Sequence, residues 1–223
     1  MEVMEYKRCV APLVKKLAFC CLALTVRYVT NAQQQMPSSP VNVYYQQKTT
    51  SFPVMDLETT DSTFFNTSLL ANKTVYVDFW FTACPPCLKE IPIAKKLQAY
   101  FASDTNVVFL NICIENAERK DVWKKMVKEK GIQGTNVFYT RNRPQKINLL
   151  RLFNIVDYPT HIILNRLQVM GLHAPSPAEK GWVHWAIYQA TKNIPVSTSY
   201  ALLENKSKAA NDYLTQNRAL IDR

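Results

Sequence analysis

Glycine is scarce in this chain, with four in 223 residues, and neither GxGxxG nor GxxxxGK[ST] occurs. That scarcity argues against glycine-rich phosphate loops, because such loops need backbone that approaches a phosphate closely. Histidine is scarcer still: His161, His173 and His184 are scattered, with no HxxxH and no second CxxC. A zinc site would lack two of its ligands, so neither a metal nor another cofactor is expected. Acidic residues are outnumbered, 17 against 27 basic, for a net charge of +10. Residues 1–32 hold five basic residues (Lys7, Arg8, Lys15, Lys16, Arg27) against Glu2 and Glu5, a net of +3, which leaves +7 for the rest. The later lysines and arginines gather at 120–130 and 141–151, mixed with apolar residues at helical spacing, which describes solvated helix faces. No nucleic-acid reading motif accompanies them, so no nucleic-acid partner is expected.

The N-terminus has the pattern of an export signal. A basic stretch ends at Lys15-Lys16, and the apolar core Leu17 to Val26 falls short of the ~20 residues that span a bilayer. Thr30-Asn31-Ala32 places small residues at −3 and −1 of a cut before Gln33. Residues 1–32 are therefore expected to be a signal peptide. Lipidation at Cys20 or Cys21 is opposed by the bulky Phe19, and an uncleaved membrane anchor is the weaker alternative. Loss of this segment would leave only Cys84, Cys87 and Cys113, too few for a multi-disulfide scaffold.

Residues 33–51 form a linker rich in Gln, Ser, Pro and Thr. A domain follows over 52–192, opened by short strand or turn pieces at 52–57 and 63–70. The pattern then predicts a strand at 74–81, a helix at 86–101, a strand at 107–114 and a helix at 118–130. A short apolar piece at 136–139 and a helical stretch at 145–154 come next. Strands 161–164 and 168–172 form a hairpin across Asn165-Arg166, and a helix at 177–191 closes the domain. The tail, 193–223, is expected to hold one helix at 198–221. This alternation implies an α/β fold: a mixed central sheet with helices on both faces and an N-terminal strand extension.

The chemistry concentrates at Cys84-Pro85-Pro86-Cys87. The run Val75-Tyr-Val-Asp-Phe-Trp-Phe81 delivers Cys84 to the first turn of a helix, where unpaired N–H groups and the helix dipole favour a thiolate. Cys87 lies one turn on, within reach of a disulfide. Such a pair can cycle between dithiol and disulfide, so the chain reads as a thiol–disulfide oxidoreductase. Asp78 interrupts the apolar strand, and desolvation there is expected to raise its carboxyl pKa; replacing it with Asn is then expected to stabilise the fold. Pro92 lies inside the helix, and Tyr158-Pro159-Thr160 suits a cis-proline turn before a strand. Cys113, within an apolar strand, reads as a buried inert thiol.

In these motifs and their order the chain resembles the thioredoxin superfamily. The stretch from Asp78 through Cys84, Cys87 and Pro92 is similar to the exported TlpA/ResA-type reductases, in forms common in Bacteroidota. The resemblance spans about residues 52–192. It implies a thioredoxin-like fold and a periplasmic setting, with Cys84 as attacking nucleophile and Cys87 as resolving thiol. Asp78 would accept or relay the Cys87 proton, and a cis Pro159 would shape the substrate groove. The implied partners are exported proteins carrying disulfides and a membrane thiol carrier as electron donor. Glu90 also matches a family position, although an exposed helix glutamate is the favoured reading. Three departures stand out. Ala83 replaces a tryptophan, Leu88 stands where a cation is frequent, and Pro85-Pro86 remove two N–H donors from the Cys84 thiolate. Two other functions compete: an oxidant or isomerase using the same pair, and a non-catalytic binding module of the same fold.

Overall fold

Strict alternation along the first long strand sets the layers. Val75, Val77 and Phe79 point to one side of the sheet, and Tyr76, Asp78 and Trp80 point to the other. The computed structural model describes residues 47–48, 51–142, 146–168, 170–171 and 174–222. The expected signal peptide and most of the linker lie outside the described residues.

Among the described residues, eight strands form one mixed sheet in the order β1-β8-β7-β4-β5-β6-β2-β3. They are β1 Gln47–Lys48, β2 Asp56–Thr59, β3 Phe64–Asn66, β4 Thr74–Trp80, β5 Val107–Glu115, β6 Thr135–Thr140, β7 Thr160–Leu164 and β8 Met170–Gly171. Strands β4, β5 and β6 run parallel, and β7 lies antiparallel to β4 on the opposite side from β5. The expected pieces at 52–57 and 63–70 become the β2–β3 hairpin, added to β6, followed by a 3-10 turn at Thr67–Leu70. The helices are α1 Pro85–Tyr100, α2 Lys120–Lys130, α3 Leu149–Leu152, α4 Trp182–Thr191, α5 Val196–Glu204 and α6 Lys208–Ile221.

The face bearing Val75, Val77 and Phe79 packs against Leu149 of α3, Phe153 and Phe52. The Tyr76 face is covered by α1 and α4 to α6, and its upper corner, at Trp80 and Cys113, by α1 and α2. Helices on both faces are therefore present.

Several boundaries differ from the sequence pattern for local reasons. The 145–154 stretch shrinks to α3 because the Asn148 side chain caps it, accepting from Arg151 N–H at 3.0 Å, and Asn154 at φ 52° ends it. Helix α4 starts at Trp182 rather than 177, since Gly181 sits at φ 79°. The β7–β8 connection exceeds two residues: Asn165 Oδ1 accepts from Leu167 N–H at 3.0 Å, and Gln168 is left-handed at φ 59°.

The 193–223 segment forms two helices instead of one. Lys206 at φ 49° breaks the run, and Ser207 caps α6 by accepting from Ala210 N–H at 3.2 Å. These helices belong to the core. Tyr213 stacks on Tyr188 at 4.4 Å, its hydroxyl lies 3.0 Å from that of Tyr100 at the end of α1, and Trp185 Nε1–H donates to Ser199 O at 2.9 Å.

Candidate active site

Strand β4 ends at Trp80, and four residues later Cys84 stands at the N-cap of α1 in extended backbone (φ −98°, ψ 98°). Pro85 and Pro86 fill the first two helical positions, where a missing N–H costs little. They also remove the nearest donors, as the sequence implied. The Cys87 N–H remains and donates to Cys84 Sγ at 3.2 Å. Cys84 thus caps its own helix through sulfur. The two cysteines are joined as a disulfide with Cα atoms 5.3 Å apart. Both residues are buried, at 2% and 5% exposure, while Ala83, Pro85 and Pro86 around them are exposed. The pair sits in an apolar corner with Trp80, Cys113, Trp123 and Phe138.

Beneath the loop, Thr82 is anchored from two directions. Its hydroxyl donates to Glu115 Oε2 at the end of β5 and accepts from Arg119 Nη2 at 2.7 Å, while its N–H reaches the same carboxylate at 3.3 Å. Arg119 Nε lies 3.0 Å from Glu115. Cys113, opposite Trp80 on β5, is fully buried, and burial together with the charges of Glu115 and Asp78 pushes its thiol well above the ordinary range. That agrees with an inert thiol.

Asp78 shares a narrow cleft with Cys87, Glu90, Trp80 and Asn111, wide enough at one point for about one water molecule. Its surroundings are not purely apolar, contrary to the expectation from its strand. His161 stands directly opposite on β7, with Nε2 3.3 Å from Asp78 Oδ1 and 3.2 Å from Glu90 Oε2. The imidazole stands between the carboxylates as an ion-pair partner of both, and neither contact has the alignment of a full hydrogen bond. Burial alone would pull His161 down, but Asp78 and Glu90 outweigh it and hold the imidazole up to about 9. Burial pushes Glu90 upward, yet contact with His161, the imidazolium charge and the Ser176 hydroxyl together bring it below the ordinary range. Glu90 is therefore not the exposed helix glutamate that its sequence position allowed; its side chain is 18% exposed.

The Tyr158–Pro159 peptide is cis. Tyr158 packs edge-on against Phe81 at 5.2 Å, beside the cysteine corner. Strand β7 starts immediately afterwards, so the same turn that carries Pro159 sets His161 opposite Asp78.

The redoxin family model matches residues 47–146, the stretch that carries β4, the cysteine pair and β5. Over those residues the chain is similar to the redoxin family. The chain is 28% identical over 162 residues to thioredoxin-like protein YneN of Bacillus subtilis, a match covering 71% of the chain and 88% of that protein. Its fold is similar to that of a Bacteroides vulgatus protein described as a thiol-disulfide oxidoreductase, with TM-score 0.50, 20% identity, and coverage of 59% of this chain and 83% of that one. It is also similar to a Chlorobium tepidum protein described as thiol:disulfide interchange protein DsbE, with TM-score 0.50, 19% identity, and coverage of 64% and 94%. Those two likenesses bear on the fold. Family and site together describe a thioredoxin-like oxidoreductase.

Sequence reasoning left His161 among scattered histidines and passed over Ser176 and the Thr82–Glu115–Arg119 anchor. A signal for His161 existed: it lies two residues after Pro159, in a strand able to pair with the one bearing Asp78.

Proposed function

We propose that the chain is an exported enzyme that reduces disulfides of exported proteins through Cys84 and Cys87 and is recharged by a membrane thiol carrier. The observation that carries this reading is Cys84 at the start of α1, with the Cys87 N–H on its sulfur and Cys87 already bonded to it. In the dithiol form, the Cys84 thiolate attacks one sulfur of a client disulfide and the other client sulfur leaves as thiolate. Cys87 then gives its proton to Asp78, across the cleft they share, and attacks Cys84 Sγ. The second client thiol is released, and the enzyme is left as the disulfide seen here. A donor dithiol reverses the last exchange. The cis Pro159, beside Tyr158, is the proposed wall of the client groove. The exposed rim of Ala83, Pro85 and Pro86 is where a client reaches the buried pair.

Cys84→Ser is expected to abolish insulin reduction, and Cys87→Ser to accumulate mixed disulfides with clients. Equal trapping by both variants, or undiminished activity in Cys84→Ser, would overturn the assignment. The reducing direction is checked by equilibrating the pair with glutathione: a potential above that of the oxidised glutathione pool would favour an oxidant instead. The periplasmic setting rests on the N-terminal pattern of basic residues, short apolar core and Thr30-Asn31-Ala32. N-terminal sequencing of exported material is expected to begin at or near Gln33, and a lipid on Cys20 or Cys21 would refute simple cleavage.

A further inference from the structure

His161 is nearly sealed from solvent yet stands between two carboxylates from different elements, Asp78 on β4 and Glu90 on α1. Building on the reading that Cys84 and Cys87 carry out exchange, we propose that His161 is a positioning residue for the resolving step. Its charge, 3.3 Å from Asp78 Oδ1, keeps that carboxylate in the cleft it shares with Cys87, and Glu90 serves as its counter-charge while Asp78 is protonated.

The geometry separates the two carboxylate oxygens of Asp78. Oδ1 is sealed from solvent against the imidazole, whereas the side chain as a whole is 26% exposed, and Asp78 lines the same cleft as Cys87. A base kept in place beside its proton donor needs no search for it, and positioning of this kind is a large part of proton-transfer efficiency. The buried cation needs a carboxylate at every stage, because an unpaired charge in this layer would be strongly destabilising. Before resolution, imidazolium and two carboxylates sum to −1. When Cys87 passes its proton to Asp78 the sum is zero, and Glu90, 3.2 Å away and steadied by Ser176, remains to balance the imidazolium. The thiolate of Cys87 then forms the bond to Cys84 Sγ as the client sulfur leaves with the electron pair. Asp78 afterwards returns its proton through the cleft.

The remaining groups around His161 do not replace Glu90. Tyr76 of β4 stacks on the imidazole at 5.5 Å and is held neutral by burial and by Asp78, Glu90 and Glu179. Glu179, in the turn before α4, accepts from Ser176 N–H at 2.8 Å. Lys95 of α1 lines the cleft, but its Nζ donates to Lys130 O at 2.5 Å. On β5, Asn111 is neutral and Cys113 stays a thiol.

The test uses the full chain with Cys9, Cys20, Cys21 and Cys113 replaced by alanine, so that only the pair reports. Reduced protein mixed with dithiobis(nitrobenzoate) releases one thionitrobenzoate when Cys84 attacks and a second when Cys87 resolves. In His161→Gln the first phase is expected to persist while the second slows about 10- to 100-fold. The pH midpoint of the second phase should move, because the cation that faces both carboxylates is gone. His161→Lys, which restores a cation, should recover part of the rate, and it also guards against a fold defect in the glutamine variant. Glu90→Gln should slow the second phase in the parent and add nothing in His161→Gln. Parent-like rate and pH midpoint in a folded His161→Gln, or additive effects of the two substitutions, would overturn the proposal. Absence of two phases in the parent would instead overturn the exchange reading itself.

Discussion

Asp78 has a different energetic standing once its neighbour is known. An isolated carboxylate in β4 would cost stability, and its removal would be a gain. With the imidazolium of His161 at 3.3 Å the sign reverses, since Asp78→Asn withdraws one of the two anions that keep a buried cation. Asp78→Asn is expected to lower unfolding stability by about 1–3 kcal/mol and to slow release of mixed disulfides while leaving attack by Cys84 in place. Urea unfolding of the oxidised protein at pH 6.5 measures the first effect. A more stable variant would mean that His161 is neutral in the folded chain.

At the scale of elements, the start of α1 is a helix terminus with most of its donors removed. Pro85 and Pro86 leave Cys87 N–H as the contact to Cys84 sulfur. Pro86→Ala restores an N–H at the second helical position. It should speed iodoacetamide alkylation of reduced Cys84 near neutral pH by roughly two- to fivefold, the equivalent of one modest hydrogen bond of about 0.5–1 kcal/mol. An unchanged alkylation rate would mean that the second position does not face the sulfur. Strand β4, helix α1 and the proline before β7 were legible because each carries a local signature: an apolar run, a cysteine at the helix start, a Tyr-Pro turn. Helix α3 was overread because Asn148 and Asn154 cut it by side-chain and left-handed backbone geometry that periodicity does not register. His161 was missed for a related reason. Its meaning depends on pairing between β7 and β4, residues more than eighty apart in the chain, and no local pattern encodes that register.

For the whole molecule, two buried histidines set opposite limits on pH. His161 is raised from 6.5 to about 9, so its contribution is fully present below 6.5 and is lost as pH rises through 9. His184 is lowered from 6.5 to about 4 by burial and by the charge of Lys180, so its neutral form supports the fold above 6.5 and that support is lost as pH falls towards 4. Glu90, held low, also loses its contribution on the acid side. Denaturation midpoints measured from pH 4 to pH 10 are expected to peak near 6.5, and His161→Gln should flatten the alkaline limb and remove the share of the acid limb that Glu90 owes to it. A stability curve without an alkaline decline in the parent would mean that His161 carries no proton near neutrality. The contact between Tyr213 and Tyr100 has a consequence of another kind. Helix α1 begins at the reactive sulfur and ends against α6, so the smallest fragment able to hold the cysteines in place runs past the apparent domain end at 192 to the last helix. Shortened versions or fusions that cut into 193–221 would strip cover from Trp185 and Tyr188, and swapping modules at that boundary would separate the redox pair from part of its own scaffold.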